Sequence, residues 1–390
     1  MNKKARIIAY YLPQYHPIPE NDKWWGKGFT EWTNVVKAKP LFRGHYQPHI
    51  PADLGFYDLR LPIIREQQAQ LAREAGIEGF CYWHYWFGSG KQLLEMPFQE
   101  VLKSGKPDFP FCLGWANESW SNKSWHVKGA KVKDKMLMEQ KYFEEDYIKH
   151  FYHVLAAFKD KRYITVDAKP LFVIFKPLDI PDVECFINKW NQLARQNGLK
   201  GIHFIGVLYN YSTKNINGKG IRLTNKENDA SERHQYLLAK GFNAINSWGF
   251  TRAEIMCTGI FRRWLLRIFQ YIIKLSFLLP VDIYDQRRIN KYLYISQDKQ
   301  KYVYPTLMPN WDRSPRTGKL TGIYINSTPD VFNKQIENCL ELVKEKPDEH
   351  KIIFLKSWNE WGEGNHVEPD LKYGRGFLNA IKENIIDEKQ

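Results

Sequence analysis

The sequence has few cysteines, and their arrangement excludes a disulfide framework and a cysteine zinc site. Five cysteines are scattered over 390 residues, without a CxxC pair. An odd number of dispersed thiols is typical of reduced cysteines in a cytoplasmic protein. The basic residues at the start are not followed by a long apolar segment, so the sequence predicts no secretory signal.

Nucleotide-binding loops are missing as well. No GxGxxG follows the first predicted strand, no GxxxxGK[ST] occurs, and no DxD-like pair is evident. These absences disfavour a doubly wound nucleotide-binding fold. Several histidines lie among aromatic residues, where hydrogen bonding to a sugar or to the backbone is the simpler role. We therefore expect no metal and no cofactor.

One apolar stretch, residues 261–279, contains too many polar residues to span a membrane. Arg267, Gln270 and Lys274 interrupt the ~18 uncharged apolar residues that a transmembrane helix needs. As a helix it would carry Arg263 and these three residues along one side. Such a basic amphipathic helix could lie on an anionic leaflet. It could equally pack on a sheet with its basic edge in water, and both interpretations are open.

The net charge of +14 suits an anionic partner such as nucleic acid, an acidic membrane or a sugar phosphate. Nucleic-acid binding would require a basic face beside stacking aromatic residues. The aromatic clusters of this sequence contain few lysines or arginines. We therefore expect no nucleic-acid partner.

Strand-like apolar runs alternate with amphipathic helices along the whole chain. This rhythm predicts parallel strands covered by helices, and eight such units predict an α/β fold, a single (β/α)8 TIM barrel over residues 1–390. A doubly wound sheet is the alternative. Long loops are expected after strands 1, 3 and 5, on the face where barrel active sites form. The predicted strands are 7–11, 79–86, 111–115, 171–176, 203–209, 244–248, 302–308 and 352–357, and the predicted helices are 61–75, 91–103, 144–159, 183–197, 231–240, 261–279, 329–345 and 372–386.

Aromatic residues are abundant, at 15% of the chain, and many gather at predicted strand ends. The runs 10–16, 82–86 and 115–120 combine Trp and Tyr with His, Asn, Gln and Glu. Aromatic faces pack against sugar C–H groups, and the polar side chains bond hydroxyls, so these runs predict a sugar pocket. The alternative is a polar rim stiffened by packed aromatic rings.

The strongest chemical signal is the run 356–364, directly after the last predicted strand. Glu360 and Glu363 stand three residues apart with tryptophans on both sides of Glu360. Burial beside tryptophan raises the pKa of a carboxyl group, and a neighbouring charge separates two such groups into an acid and a base. The alternative is a pair of surface glutamates on a turn.

These residues resemble a known family. The run Trp358–Gly364 is similar to the catalytic motif of glycoside hydrolase family 99, the endo-α-mannosidases and endomannanases. The segments 10–17, 28–34 and 44–49 resemble more closely the WbsX-like branch found among lipopolysaccharide and capsule biosynthesis proteins. The resemblance extends from about Arg6 to Phe377, nearly the whole chain.

The resemblance implies a (β/α)8 barrel that acts with retention at an α-linked sugar through a 1,2-anhydro sugar. Glu360 would deprotonate the sugar 2-hydroxyl, while Glu363 would protonate the leaving oxygen and then activate the acceptor. A covalent glycosyl-enzyme with carboxyl groups ~5 Å apart is the competing mechanism. The same pair would serve hydrolysis or transfer, depending on whether water or a sugar hydroxyl attacks.

The sequence thus predicts a carbohydrate-active enzyme of bacterial surface-polysaccharide biosynthesis. Its expected partners are an oligosaccharide, a polysaccharide or a lipid-linked glycan, with a cytoplasmic location and peripheral contact with an anionic membrane. An endo-α-mannosidase-like hydrolase and a noncatalytic glycan-binding barrel are the alternatives. The expected catalytic residues are Glu360 and Glu363, and the expected substrate-binding residues are Tyr10, Tyr11, Gln14, His16, Glu31, Trp32, His45, Tyr46, Trp83, His84, Tyr85, Trp115, Asn117, Glu118, Trp248, Asn310, Asp312, Trp358, Asn359 and Trp361.

Overall fold

Eight runs of aliphatic and aromatic residues form strands because each can be buried on both faces, as a parallel barrel requires. The computed structural model describes residues 3–122, 135–209, 227–259, 264, 265, 268, 282–318 and 322–387. The barrel strands are β1 (Arg6–Tyr11), β2 (Gly79–Trp86), β3 (Phe111–Trp115), β4 (Lys169–Ile174), β5 (His203–Tyr209), β6 (Ala244–Trp248), β7 (Val303–Leu307) and β8 (Ile352–Leu355).

The eight strands make one closed parallel sheet. Their order is β1-β8-β7-β6-β5-β4-β3-β2, and β2 pairs again with β1. In this register Ile8 lies opposite Phe354 on one side and Gly79 on the other. The predicted TIM barrel is confirmed, and β2, β3, β5 and β6 have the predicted bounds.

Helices cover the outside of the barrel and also form parts of the loops after the strands. They are α1 (Pro19–Trp25), α2 (Trp32–Lys37), α3 (Pro62–Glu74), α4 (Met96–Ser104), α5 (Glu144–Phe158), α6 (Val183–Gln196), α7 (Glu227–Ala239), α8 (Phe250–Thr258), α9 (Gln286–Tyr292), α10 (Ser314–Thr317), α11 (Pro329–Val343) and α12 (Gly376–Ile385). Short 3-10 helices occupy Pro177–Asp179, Ser296–Lys299, Asp348–His350 and Trp361–Glu363.

Short strands extend or flank the barrel. Gln92–Leu93 pairs antiparallel with the end of β2, so α4 begins at Met96 and not at the predicted residue 91. The other short strands pair within loops or with β4: Trp120–Ser121 with Met136–Met138, Thr165–Val166 with β4, Ile283–Asp285 with Ile323–Ile325, and Asn359–Glu360 with Asn365–His366.

Side chains alternate between the barrel interior and the helix layer, as the pleat of a strand requires. In β1, the Tyr10 hydroxyl donates to Oδ1 of Asn246 at 2.8 Å, and the next residue, Tyr11, donates to Oε1 of Gln68 on α3 at 2.7 Å. Nε1 of Trp248 also donates to Oδ1 of Asn246, at 2.6 Å. Asn246 therefore joins β1 and β6 inside the barrel, below the ends that carry the loops.

No helix among the described residues is long and apolar enough to cross a membrane. The predicted basic helix over 261–279 lies outside the described residues, apart from positions 264, 265 and 268. All five cysteines are free thiols.

Candidate active site

A cleft of 190 Å³ opens at the carboxyl ends of the barrel strands. This is the face on which the loops after parallel strands meet, and where barrel enzymes place their catalytic groups. Glu360 and Glu363 both line it. Of the predicted substrate-binding residues, Gln14, Trp83, Tyr85, Glu118 and Trp248 line the same cleft.

Arg316, on the short helix α10, binds three glutamates at once. Its Nε lies 2.8 Å from Oε1 of Glu31 and its Nη1 lies 2.9 Å from Oε1 of Glu363. Nη2 of the same guanidinium forms an ion pair with Oε1 of Glu360. The four side chains are nearly or fully buried, so the geometry of both candidate catalytic carboxylates depends on this arginine.

Two further cations approach Glu363. Nε of Arg313 lies 3.0 Å from Oε1 of Glu363, and Nζ of Lys356 lies 4.0 Å from its Oε2. The Lys356 ammonium also lies 4.5 Å from the ring centre of Trp248 and 5.4 Å from that of Trp311, which gives it cation–π contacts. Glu363 therefore has three cationic neighbours.

The two carboxyl groups consequently have opposite pKa shifts. Burial raises the pKa of Glu360 to about 7, and repulsion from Glu363 adds to this effect against the attraction of Arg316. Burial also acts to raise the pKa of Glu363, but Arg313, Arg316 and Lys356 outweigh it and lower that pKa to about 2. Near neutral pH Glu360 is therefore partly protonated, whereas Glu363 is ionised.

Three aromatic rings, those of Trp83, Phe175 and Trp248, line the cleft. Their rings touch edge to face, with centre distances of 5.3 Å for Trp83 to Phe175 and 5.7 Å for Phe175 to Trp248. Tyr10 stacks under Trp83 at 4.5 Å with the ring planes 4° apart. Tyr10 thus supports the cleft from within the barrel and is not among the side chains that line it.

Glycine at position 362 is required by close packing in the motif. A Cβ there would lie 1.8 Å from Oε1 of Glu31 and 3.0 Å from Nε of Arg316. Gly364 has φ +53°, and a Cβ there would lie 2.8 Å from Cβ of Asp312. These glycines let the loop after β1 and the segment after β7 pack directly against the backbone of the motif.

Gly362→Ala is expected to displace the Glu31–Arg316 ion pair and lower kcat about 100-fold, since reacting groups misplaced by an ångström lose that much. Steady-state kinetics of the folded variant would measure this. Gly322→Ala is the matched control, because its nearest neighbour would lie at an ordinary 3.5 Å. Equal activity of the two variants would contradict the packing argument.

The tryptophans of the motif face away from the cleft and bind a buried glutamate that the sequence analysis missed. Nε1 of Trp358 and Nε1 of Trp361 each donate to Glu368 at 2.7 Å. Tyr57 and Gln68 donate to the same carboxylate at 2.9 and 2.6 Å. Burial raises the pKa of Glu368 to about 7, although these four hydrogen bonds oppose it. Glu368 therefore anchors the motif to the barrel.

Asp312 holds the loop that carries the two arginines. Its Oδ2 accepts from His45 at 2.7 Å and from Gln47 at 2.5 Å, and its Oδ1 accepts from the backbone N–H of Ser314 at 2.9 Å. Its own backbone N–H donates to the carbonyl of Glu363 at 2.7 Å. In the described contacts Asp312 pairs with His45, whereas Arg313 and Arg316 bind the glutamates.

Two predicted binding residues, Asn359 and Asn117, are instead used to join loops. The Asn359 side chain accepts from the N–H of Leu12 at 2.8 Å and donates to its carbonyl at 3.0 Å, as a neighbouring strand would. The Asn117 side chain likewise accepts from the backbone N–H of Lys176 at 2.7 Å and donates to its carbonyl at 2.8 Å. Beside it, Lys176 forms an ion pair with Glu118 at the cleft rim.

Several other predicted binding residues lie in packed regions. Trp32 donates to the carbonyl of Tyr57, His84 bonds His150 on α5 at 2.9 Å, and Trp115 donates to the carbonyl of Trp86. His84 and Trp115 lie on strands, where successive side chains alternate between the two faces of the sheet, and Trp32 lies on α2; the composition of these runs does not show which way each side chain points. His16 is buried, and burial lowers its pKa to about 4.

A second cavity, of 300 Å³, lies behind Asp312. It is lined by four of the predicted binding residues: His45, Tyr46, Asn310 and Asp312. Asn310 also accepts from the backbone N–H of His366 at 3.1 Å. These four residues are therefore separated from the cleft that contains the paired glutamates.

One group among the described residues has the composition of a metal site. Candidate ligand atoms of His49, His366 and Asp370 lie within 4.8 Å of one another. Asp370 is already engaged, since it bonds His366 at 3.2 Å and accepts from the N–H groups of Lys372 and Tyr373 at 2.8 and 2.6 Å. The positive charge of Lys372 next to His49 opposes a dication. We give this group a structural role.

Comparison with known proteins places the chain in a family. Residues 7–381 match the family model described as Glycosyltransferase WbsX. The chain is 32% identical over 384 residues to "Uncharacterized protein WxcX" of Xanthomonas campestris pv. campestris (strain B100), covering 98% of this chain and 50% of that protein. The chain thus spans about half the length of the curated relatives it matches.

Solved structures share the fold. A "Glycoside hydrolase-like protein" superposes with a TM-score of 0.58 at 14% identity, covering 99% of this chain and 95% of the other. The GH99 endo-alpha-mannosidase from Bacteroides thetaiotaomicron superposes with a TM-score of 0.54 at 12% identity, covering 98% and 96%. The fold of this chain is therefore similar to that of these two barrels. Since the family match extends over nearly the whole chain, the chain belongs to the WbsX glycosyltransferase family.

Proposed function

We propose that this chain acts with retention at α-glycosidic linkages during the assembly of bacterial surface polysaccharide. The observation that carries the proposal is the pair Glu360 and Glu363. Both carboxylates bind one arginine in a cleft lined by aromatic rings, and their pKa values are shifted in opposite directions. An acid–base pair in a cleft lined by aromatic rings suits a sugar ring. WbsX membership supports this choice.

Glu360 is the general base for the sugar 2-hydroxyl. A base works best when its pKa lies near the working pH, and burial raises that of Glu360 to about 7. Attack of the deprotonated 2-oxygen on the anomeric carbon forms a 1,2-anhydro sugar with inversion, while the bond from that carbon to the leaving oxygen breaks with its electron pair on the leaving oxygen. Opening by the acceptor inverts the centre again, so the product retains its configuration.

Glu363 is the general acid/base of the same scheme. To protonate a leaving sugar oxygen it must first take up a proton, whereas as an ionised carboxylate it is ready to take the proton of the incoming hydroxyl in the second step. The competing mechanism would use one glutamate as a nucleophile and form a covalent glycosyl-enzyme. Mass spectrometry of enzyme quenched during turnover tests for that adduct.

Product analysis is the direct test of the proposed function. The chain is incubated with α-linked oligosaccharides and with lipid-linked glycans, with and without activated sugars, and the products are identified by mass spectrometry and NMR. We expect a retained α-linkage, and Glu363→Gln should abolish turnover while sugar binding persists. A new linkage of inverted configuration, or sugar binding without turnover by the unaltered chain, would overturn the proposal in favour of an inverting enzyme or a glycan-binding barrel.

The pH dependence follows from Glu360. Because the base acts only when ionised, kcat/KM is expected to rise with pH through about 7 and then level off. Steady-state rates between about pH 5 and 9 measure this rise of kcat/KM. A rate that instead falls as the pH passes 7 would make Glu360 the acid.

The location proposed for this activity is the cytoplasmic face of the membrane, with a lipid-linked glycan as partner. The basic apolar stretch 261–279 motivates it. We expect the protein to sediment with vesicles containing anionic lipid and to be released by salt, and replacing Arg263, Arg267 and Lys274 by glutamine should abolish sedimentation. Absence of binding at low salt would reject the membrane contact.

A further inference from the structure

Three cations meet at one end of the candidate cleft. Arg313, Arg316 and Lys356 all line it, and all approach the carboxylate of Glu363, at 3.0, 2.9 and 4.0 Å. They come from two separate segments, the loop after β7 and the end of β8. They face three carboxylates, those of Glu31, Glu360 and Glu363, so the charges balance while all three are ionised, and one positive charge is in excess once Glu360 takes a proton.

Binding a neutral sugar would not require this excess of positive charge. A buried lysine and a buried arginine are costly to desolvate, and Lys356 and Arg316 have only 7% and 10% of their side chains exposed. Hydroxyl groups are recognised well by neutral amides and by carboxylates. Converging guanidinium and ammonium groups instead match the charge and geometry of phosphate oxygens.

Resting on the proposed function, we propose that the leaving group of the donor is a phosphate or diphosphate ester and that Arg313 and Lys356, beside Arg316, bind it. This assigns an anion subsite to the Glu363 end of the cleft. The subsite would take the diphosphate of either a nucleotide-linked or a lipid-linked sugar.

With a phosphate leaving group, every bond and proton of the two steps is accounted for. The 2-oxygen attacks the anomeric carbon while its proton passes to Glu360, and the bond from that carbon to the phosphate oxygen breaks with its electron pair on the phosphate. The acceptor hydroxyl then opens the anhydro ring: its proton passes to Glu363, the 2-oxygen regains the proton of Glu360, and Glu363 releases its proton to solvent. A phosphate leaves as a stable anion, so the first step needs no general acid.

The protonation of the site supports this division of roles. Arg313, Arg316 and Lys356 keep the pKa of Glu363 near 2, so this carboxyl holds no proton for a neutral leaving sugar. The same three cations would instead stabilise the negative charge that develops on a departing phosphate.

The test is calorimetric titration of the whole chain with four probes: inorganic diphosphate, UDP, GDP and farnesyl diphosphate in detergent. We expect binding of diphosphate that weakens with salt, and a loss of about tenfold in affinity for Arg313→Gln. Lys356→Gln should lower the affinity for diphosphate by a similar factor. If this variant fails to fold, Lys356→Arg is used instead and should bind diphosphate, because it keeps the positive charge. Lys344→Gln, at an exposed lysine directly after α11, is the matched control and should bind normally.

The probes also identify the source of the phosphate. Tighter binding of UDP or GDP than of diphosphate indicates a nucleotide donor, and tighter binding of farnesyl diphosphate indicates a lipid-linked one. No binding at about 10 mM, or binding that Arg313→Gln leaves unchanged, overturns the subsite. Turnover of a glycoside with a neutral leaving group would then leave the proposed function standing, whereas full activity of Glu360→Gln would remove the function itself.

Discussion

Glu360→Gln is expected to lower kcat by about 10²–10⁴-fold while KM changes little. Glutamine has nearly the same shape and still offers an oxygen to Arg316, but it takes no proton from the sugar 2-hydroxyl. The lost step is therefore chemical and not structural. Steady-state kinetics and a thermal denaturation curve, measured on the same preparation, separate these two effects.

Glu341→Gln is the matched control for this substitution. Glu341 lies on α11, outside the lining of the cleft, with 68% of its side chain exposed and an ion pair to Lys344. Exposed ion pairs contribute little, so this variant should retain most of the activity. If both glutamine variants lost activity equally, Glu360 would have no special role as a base.

Glu368→Ala is expected to destabilise the protein by about 3–5 kcal/mol. The substitution leaves the indole N–H groups of Trp358 and Trp361 without their acceptor, and each buried unsatisfied donor costs about 1–3 kcal/mol. The Tyr57 hydroxyl and the Gln68 amide lose the same partner. Chemical denaturation monitored by tryptophan fluorescence measures the change.

The comparison for this prediction is Glu341→Ala on the exposed side of α11, where 68% of the glutamate side chain is accessible. Surface substitutions of this kind change stability by about 0.5 kcal/mol or less. An equal, small effect of Glu368→Ala would mean that water replaces the carboxylate among its four donors.

The barrel was predictable because its signal is local and repeated. Each strand is a short apolar run with flanking polar residues, and eight runs separated by helical patterns leave few other arrangements. Bounds were predicted less well where pairing intervenes: Gln92 and Leu93 fit a helical pattern but pair with the end of β2. That contact depends on the tertiary fold and leaves no mark in the local sequence.

The position of the two glutamates could be predicted, but the contacts that tune them could not. Arg316 is separated from Glu31 by 285 positions, and no local pattern links the two. The tryptophans next to Glu360 indicated burial correctly, although they act by bonding Glu368 and do not line the cleft. Whether a side chain faces the cleft or the helix layer depends on register, which composition does not report.

The close packing of Gly362 against Glu31 has a consequence for how the candidate site forms during folding. Glu31 belongs to the loop after β1, whereas Gly362 follows β8, so the candidate site is assembled from the first and the eighth units of the barrel. During synthesis on the ribosome, the early loop must wait for the final segment to emerge before Arg316 has all three of its partners. The contacts that orient Glu360 and Glu363 can therefore form only when the barrel closes.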